Sequence, residues 1–305
     1  MNPFRGILLK LMSVTVFSVM GVLIKATRDH VPAGEAVFFR SFFAIPVILV
    51  WLIYTRELKT GLATKNPMAH IWRGLIGTSA MGLGFLGLGL LPLPEVTAIG
   101  YAAPILTVIF AAMFLGEQVR AIRLSAVVLG MIGVLIILSP RLGSFDGGAN
   151  PTETLGAFVV FGSAVCGALA GIFVRKMTQT ESTSAIVFYF SCTASALALF
   201  TIPGWVMPTP TEIAFLVLAG IFGGLGQILL TSCYRFADAG VIAPFDYTSM
   251  LFAIGFGYFF FAEVPTLTVI AGTSLVIGAG VLIIWRERQL GIERAKQRKV
   301  MTPQG

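Results

Sequence analysis

Ten apolar runs follow one another along the chain, separated by short polar stretches: residues 7–25, 35–54, 71–91, 96–115, 123–139, 155–174, 184–203, 213–234, 241–261 and 268–285. Each is close to the roughly 20 residues that an α-helix needs to cross a bilayer's hydrocarbon core. In lipid the backbone must satisfy its own hydrogen bonds, which leaves helices or closed barrels. Runs of this length predict an all-α membrane protein with ten transmembrane helices. The first run follows Arg5 as in a signal peptide, but no small-x-small cleavage site is obvious and nine more runs follow, so it reads as an uncleaved span. The longest connections are 55–70 and 140–154, and Pro140, Gly143, Gly147, Gly148 and Pro151 make the second resemble a linker between halves.

Composition supports this picture. Of 305 residues 56 % are hydrophobic and 11 % charged, with mean hydropathy +0.90. Soluble domains carry about 25 % charge, so this chain cannot cover a water-facing surface. The net charge of +7 is read as topological charge and not as a nucleic-acid footprint. With the N-terminus inside, sixteen Lys and Arg fall on the inner side, including Arg73 and the tail, and three (Lys25, Arg28, Arg141) fall outside. Both termini are therefore expected in the cytoplasm.

The two halves repeat. Gly133-Val-Leu-Ile-Ile137 recurs as Gly280-Val-Leu-Ile-Ile284, Phe114–Glu117 parallels Phe260–Glu263, and Gly74 and Gly77 correspond to Gly220 and Gly223. Val37-Phe38-Phe39 matches Val187-Phe188-Tyr189. The offsets stay between 146 and 150 residues. Five is odd, so the second unit enters the membrane from the opposite side, giving two inverted five-helix repeats. The expected division is 1–140, a linker at 141–154, a second repeat at 155–285, and a basic tail at 286–305.

Phe39-Arg40 with Ala44, Pro104, the repeated Gly/Ala-Glu at Glu117 and Glu263, and the shared Gly-Val-Leu-Ile-Ile together resemble the drug/metabolite transporter superfamily, specifically its EamA-type members. The resemblance covers about 7–285. It implies a bacterial inner-membrane carrier with a central cavity between its repeats. Phe190 stands where Arg40 would repeat, so the halves are not chemically equivalent. Ala243–Thr248 resembles alphaproteobacterial riboflavin uptake transporters and, more distantly, S-adenosylmethionine uptake carriers.

Ionisable groups within spans need a partner, a water-filled cavity or a place near the interface. Arg40 is read either as a donor to an anion or ring carbonyl, or as a tie to Glu95 or Asp29. Asp246, between Phe245 and Tyr247 and after Pro244, either carries a coupling proton or pairs with Arg235 or a neighbouring helix. Lys25 either snorkels or gates, and Glu95 is placed with Lys25 and Asp246 as a coupling or gating group. Glu117 and Glu263 read as structural caps. Gln227 offers an amide in mid-span, and Tyr101 near Pro104 joins Phe245 and Tyr247 as rings suited to a planar ligand. The substrate-binding set is thus Arg40, Tyr101, Gln227, Phe245, Asp246 and Tyr247. Glycine-rich faces on the third and eighth spans predict close helix packing.

Enzyme chemistry is missing. His30 and His70 are the only histidines, and no His-Glu-x-x-His, Gly-x-Ser-x-Gly or phosphate loop occurs. Gly82-x-Gly84-x-x-Gly87 matches a dinucleotide fingerprint by letters only. Cys166, Cys192 and Cys233 form neither a disulfide framework nor a metal site. No cofactor is expected. The expected partners are a small-molecule substrate, the bilayer and, at most, a second copy of the chain, with no nucleic acid. Riboflavin uptake leads the specific expectations, ahead of S-adenosylmethionine uptake, metabolite export, and the remote cases of an intramembrane enzyme or a channel.

Overall fold

The computed structural model describes the chain except residues 1–2, 59, 116–120, 143–150, 179, 237–242, 283–284 and 286–305. The described residues contain helices and no strand. In chain order the helices are α1 (Pro3–Thr27), α2 (Ala33–Phe42), α3 (Ala44–Tyr54), α4 (Pro67–Leu90), α5 (Leu93–Gly100), α6 (Ala102–Leu115), α7 (Ala121–Leu142), α8 (Pro151–Met177), α9 (Thr183–Ala198) and α10 (Pro210–Phe236). After them come α11 (Thr248–Phe261) and α12 (Leu267–Leu282). Two 3-10 turns, Leu199–Gly204 and Ala243–Tyr247, extend α9 and precede α11.

Among the described residues, six helical segments are long and apolar enough to cross a membrane: Phe4–Thr27, Ala33–Tyr54, Pro67–Leu90, Pro151–Val174, Thr183–Gly204 and Pro210–Cys233. Val127–Ser139, Phe245–Phe261 and Leu267–Leu282 are shorter apolar helices. Large side chains such as Phe200, Phe259 and Leu251 point outward and exposed, as expected of helices that face lipid.

Two expected spans are interrupted. The second breaks at Phe43 and the fourth at Tyr101. Each break lies three residues before a proline, Pro46 and Pro104. Proline has no N–H for the carbonyl four residues earlier and its ring crowds that carbonyl, so the ladder fails at Phe42 and Gly100. The expected loop at 55–70 is shorter than predicted, because Asn66 caps α4: its side chain accepts from the Ala69 N–H, and Pro67 opens the helix. The expected 141–154 linker also shrinks. α7 runs to Leu142 and α8 starts at Pro151.

The helices run up and down between two ends. At the near end, where α1 starts, Glu181 accepts from the backbone N–H groups of Lys65 and Asn66, and Ser182 donates to Gly61. At the far end, the His30 ring lies 3.0 Å from Glu212, and Glu35 accepts from the Val206 N–H. The halves do not pack as separate bodies: α1 packs on α10, α4 on α8 and α9, α2 on α9 and α10, and α5 on α11. Glycines permit the close approaches. A Cβ at Gly74 would meet Thr193, and one at Gly220 would meet Phe43 and the Phe39 carbonyl.

Candidate functional site

α1, α4, α5 and the 3-10 turn with α11 enclose a cavity of about 260 Å³. Its wall is apolar at Val14, Leu88, Leu93 and Ala253, aromatic at Phe17 and Phe256, and polar at Ser18, Thr97, Asp246 and Ser249. A mostly apolar wall with a few placed polar groups is the usual construction of a small-molecule site.

Asp246 lies toward the near end. Its carboxylate is 2.6 Å from the Lys10 ammonium of α1. Lys10 is 3 % exposed and Asp246 42 %, so the cation is sealed in protein while the carboxylate meets accessible space. Of the partners expected for Asp246, the structure shows a neighbouring helix, α1, through Lys10. Beside this pair the Tyr101 hydroxyl is 2.8 Å from Ser249 Oγ and 3.3 Å from the Tyr247 carbonyl. The two tyrosine rings meet edge to face at 5.2 Å. Tyr101 stands at the break before Pro104, and Tyr247 ends the 3-10 turn and leans on Gly280.

The far end of the cavity is tied. The Lys25 ammonium lies 2.9 Å from a Glu263 oxygen and donates to the carbonyls of Leu88 (3.1 Å) and Leu91 (2.9 Å). The other Glu263 oxygen accepts from the Leu93 N–H at 2.7 Å. Ala262 adopts a left-handed conformation (φ 54°) that ends α11 and turns Glu263 inward. One ion pair thus joins α1, the α4–α5 corner and the end of α11. Lys25 does not snorkel, and Glu263 is a partner to Lys25, not a simple cap.

The remaining predicted residues are dispersed. Phe245 is partly buried beside Asp246, with its carbonyl accepting from Thr248. Gln227 is partly buried on α10, and its carbonyl accepts from Thr231; it is not among the residues of this cavity wall. Glu95 is buried on α5. Arg40 makes neither the Glu95 nor the Asp29 tie. It is 3 % exposed, donates weakly to the Gly223 carbonyl at 3.4 Å and lies 5.6 Å from the Phe190 ring centre. Arg73, counted above with the inner-side charges, is buried within α4, with its guanidinium 4.1 Å from the Phe190 ring centre. Glu117 lies outside the described residues. Sequence reasoning missed Lys10, Ser18, Thr97 and Ser249. Lys10 was visible as a charge within a span, whereas the three hydroxyls carried no signal of their own.

Among the described residues no cluster of His, Cys, Asp and Glu could hold a metal ion. Known proteins place this geometry in a family. The pseudopaline exporter CntI of Pseudomonas aeruginosa is 30 % identical over 280 residues, covering 90 % of this chain and 94 % of that protein. An S-adenosylmethionine uptake transporter of Rickettsia bellii is 31 % identical over 283 residues, covering 92 % and 93 %. Human solute carrier family 35 member G1 is 30 % identical over 290 residues, covering 92 % and 78 %. A solved crystal structure with 20 % identity matches 93 % of this chain and 98 % of its own with a TM-score of 0.67, which shows a shared fold. The profile of the EamA-like transporter family matches residues 4–139 and 154–285, and the chain belongs to that family of membrane transporters, which are not enzymes.

Proposed function

We propose that this protein is a secondary carrier that moves S-adenosylmethionine or a similar amphipathic metabolite by alternating access, with the 260 Å³ cavity as part of its path. The observation that carries the transport reading is the asymmetry of that cavity: Lys25 and Glu263 tie one end, while Asp246 remains accessible toward the other. With both termini cytoplasmic in a bacterial inner membrane, this arrangement is the inward-facing state. Rings at Phe17 and Phe256, with a carboxylate and hydroxyls between them, suit a flat heterocycle that bears a cationic centre. The Rickettsia relative favours S-adenosylmethionine. Riboflavin, expected from Ala243–Thr248, has no counterpart among the relatives cited above and gives way to it.

Ten spans in two inverted repeats are part of this proposal. What supports the repeat is that contacts recur at the sequence offsets. Ser13 donates to the Gly226 carbonyl, and Ser163, 150 residues on from Ser13, donates to Ala80, 146 before Gly226. Arg40 lies against Gly223 as Phe190 lies against Gly77. Tyr101 and Tyr247, 146 residues apart, touch each other. Helix α1 starts at the near end and its counterpart α8 at the far end, as inversion requires.

The test is uptake of labelled S-adenosylmethionine and, separately, labelled riboflavin into bacteria expressing the chain, beside an Asp246→Ala variant of verified membrane expression. Saturable S-adenosylmethionine uptake, reduced at least tenfold in the variant, is expected. Riboflavin uptake without S-adenosylmethionine uptake would reverse the substrate assignment.

A further inference from the structure

Most of the buried polar atoms that lack hydrogen-bond partners among the described residues lie on three helices that pack together. Arg28 Nε and the Thr273 hydroxyl lie elsewhere, and both ring nitrogens of His70 belong with the cluster. Among the described residues, Nε and Nη1 of both Arg40 and Arg73 have no hydrogen-bond partner, and the same holds for the hydroxyls of Ser41, Thr78 and Ser191. These residues belong to α2, α4 and α9, which pack together. Both guanidinium groups lie over the ring of Phe190, at 5.6 and 4.1 Å from its centre. Glycines make room for them: a Cβ at Gly223 would stand 2.7 Å from Arg40 Nε, and one at Gly77 would strike the Arg73 guanidinium. A second cavity, of about 300 Å³, opens between the same helices, with Thr78 but neither arginine in its wall.

Two like charges inside a membrane protein repel each other and lose their hydration, and one aromatic ring offsets only part of that. Such groups otherwise pair with carboxylates. The carboxylates whose partners the structure gives are engaged elsewhere: Asp246 with Lys10, Glu263 with Lys25, Glu181 with His70 and two backbone N–H groups, and Glu35 with the Val206 N–H. His70, one turn from Arg73, lies 3.5 Å from Glu181 and adds no negative charge there. The planar fork of arginine is built for oxyanions.

We infer that Arg40 and Arg73 form a dibasic oxyanion site between α2, α4 and α9 that takes the carboxylate or phosphate group of a small metabolite. The site is separate from the cavity that holds Asp246. Its consequence for substrate class, that the transported molecule carries an anionic group, rests on the transport reading, whereas the binding itself does not.

The test is thermal unfolding of the purified full chain in detergent, titrated with inorganic phosphate and with succinate against chloride at constant ionic strength. A saturable rise in midpoint with either anion is expected for the parent, because a ligand that binds only the folded state stabilises it. Arg40→Gln and Arg73→Gln should each weaken the half-saturating concentration at least tenfold. Arg73→Lys, which keeps the charge, should weaken it less. Without anion, Arg73→Gln should unfold no lower than the parent, since it removes an uncompensated buried charge; a structural arginine would give a lower midpoint. No saturable rise in the parent, or an equal rise in both glutamine variants, overturns the site whether or not any variant is unstable. S-adenosylmethionine flux without an anion-dependent rise would sink this inference alone, and a rise without S-adenosylmethionine flux would sink that substrate assignment alone.

Discussion

Glu263→Gln should open the far end of the cavity. The substitution keeps shape and removes the charge. Lys25 would retain its two carbonyl bonds, at 3.1 and 2.9 Å, and lose the carboxylate at 2.9 Å. Breaking a buried ion pair costs about 3–5 kcal/mol. Here the side chains are 11 % and 17 % exposed, which screens part of the interaction, so about 2–3 kcal/mol is reasonable. Every 1.4 kcal/mol is tenfold, so the balance between far-end-closed and far-end-open forms should move by about 30- to 150-fold. The assay places a single cysteine at Thr97, in the cavity wall, with Cys166, Cys192 and Cys233 replaced. A membrane-impermeant thiol reagent is then added to right-side-out or inverted vesicles. In the Glu263→Gln background, labelling from the far-end side should accelerate and labelling from the near-end side should slow. Unchanged rates from both sides, with the protein folded, would refute the role of this ion pair as a closure.

Three further outcomes follow from contacts elsewhere. Asp246→Leu should take the carboxylate away from the buried Lys10 ammonium and lower the unfolding midpoint in detergent more than the double variant Lys10→Met with Asp246→Leu, because an apolar replacement of both partners removes the buried charge as well. Gly223→Leu should destabilise the fold by at least about 1–3 kcal/mol through overpacking, since a Cβ there stands 2.7 Å from Arg40 Nε and 3.2 Å from Met20 Sδ; normal midpoint and expression would contradict the close packing of α10 on α2. At the near end, burial pushes the Glu181 carboxyl up, but the N–H groups of Lys65 and Asn66, together with His70 and Thr64, outweigh it and hold the group below its ordinary value of 4.5. Its stabilisation is therefore complete above that value and is lost as pH falls through the lower folded value, so the midpoint of Glu181→Gln should fall less steeply than the parent's under acid.

The six long apolar helices were legible because a bilayer imposes a length and an apolar composition that show in one dimension. The breaks at Phe43 and Tyr101 are encoded by Pro46 and Pro104, but an apolar run conceals them, since hydropathy is blind to a missing N–H. The site was legible in part. Tyr101 and Tyr247, singled out as rings beside Asp246, do touch each other, and Asp246 is next to Tyr247 in the chain. Lys10 and Asp246 are 236 residues apart, and nothing in their local patterns names the pairing. Arg73 was misread because a charge near a span's start resembles a flanking topological charge. The run at 71–91 already contained it, and the Asn66 cap, which begins α4 at Pro67, moves it a further turn inside the helix.

The central claim is carriage by alternating access, and exchange in proteoliposomes containing only this protein tests it most directly. Labelled S-adenosylmethionine should enter with saturable kinetics, and preloading the vesicles with unlabelled S-adenosylmethionine should accelerate entry, because the loaded carrier returns faster than the empty one. Flux that rises linearly with concentration and ignores preloading would contradict the account and point to a pore. No flux of S-adenosylmethionine from folded, inserted protein would remove it as the substrate.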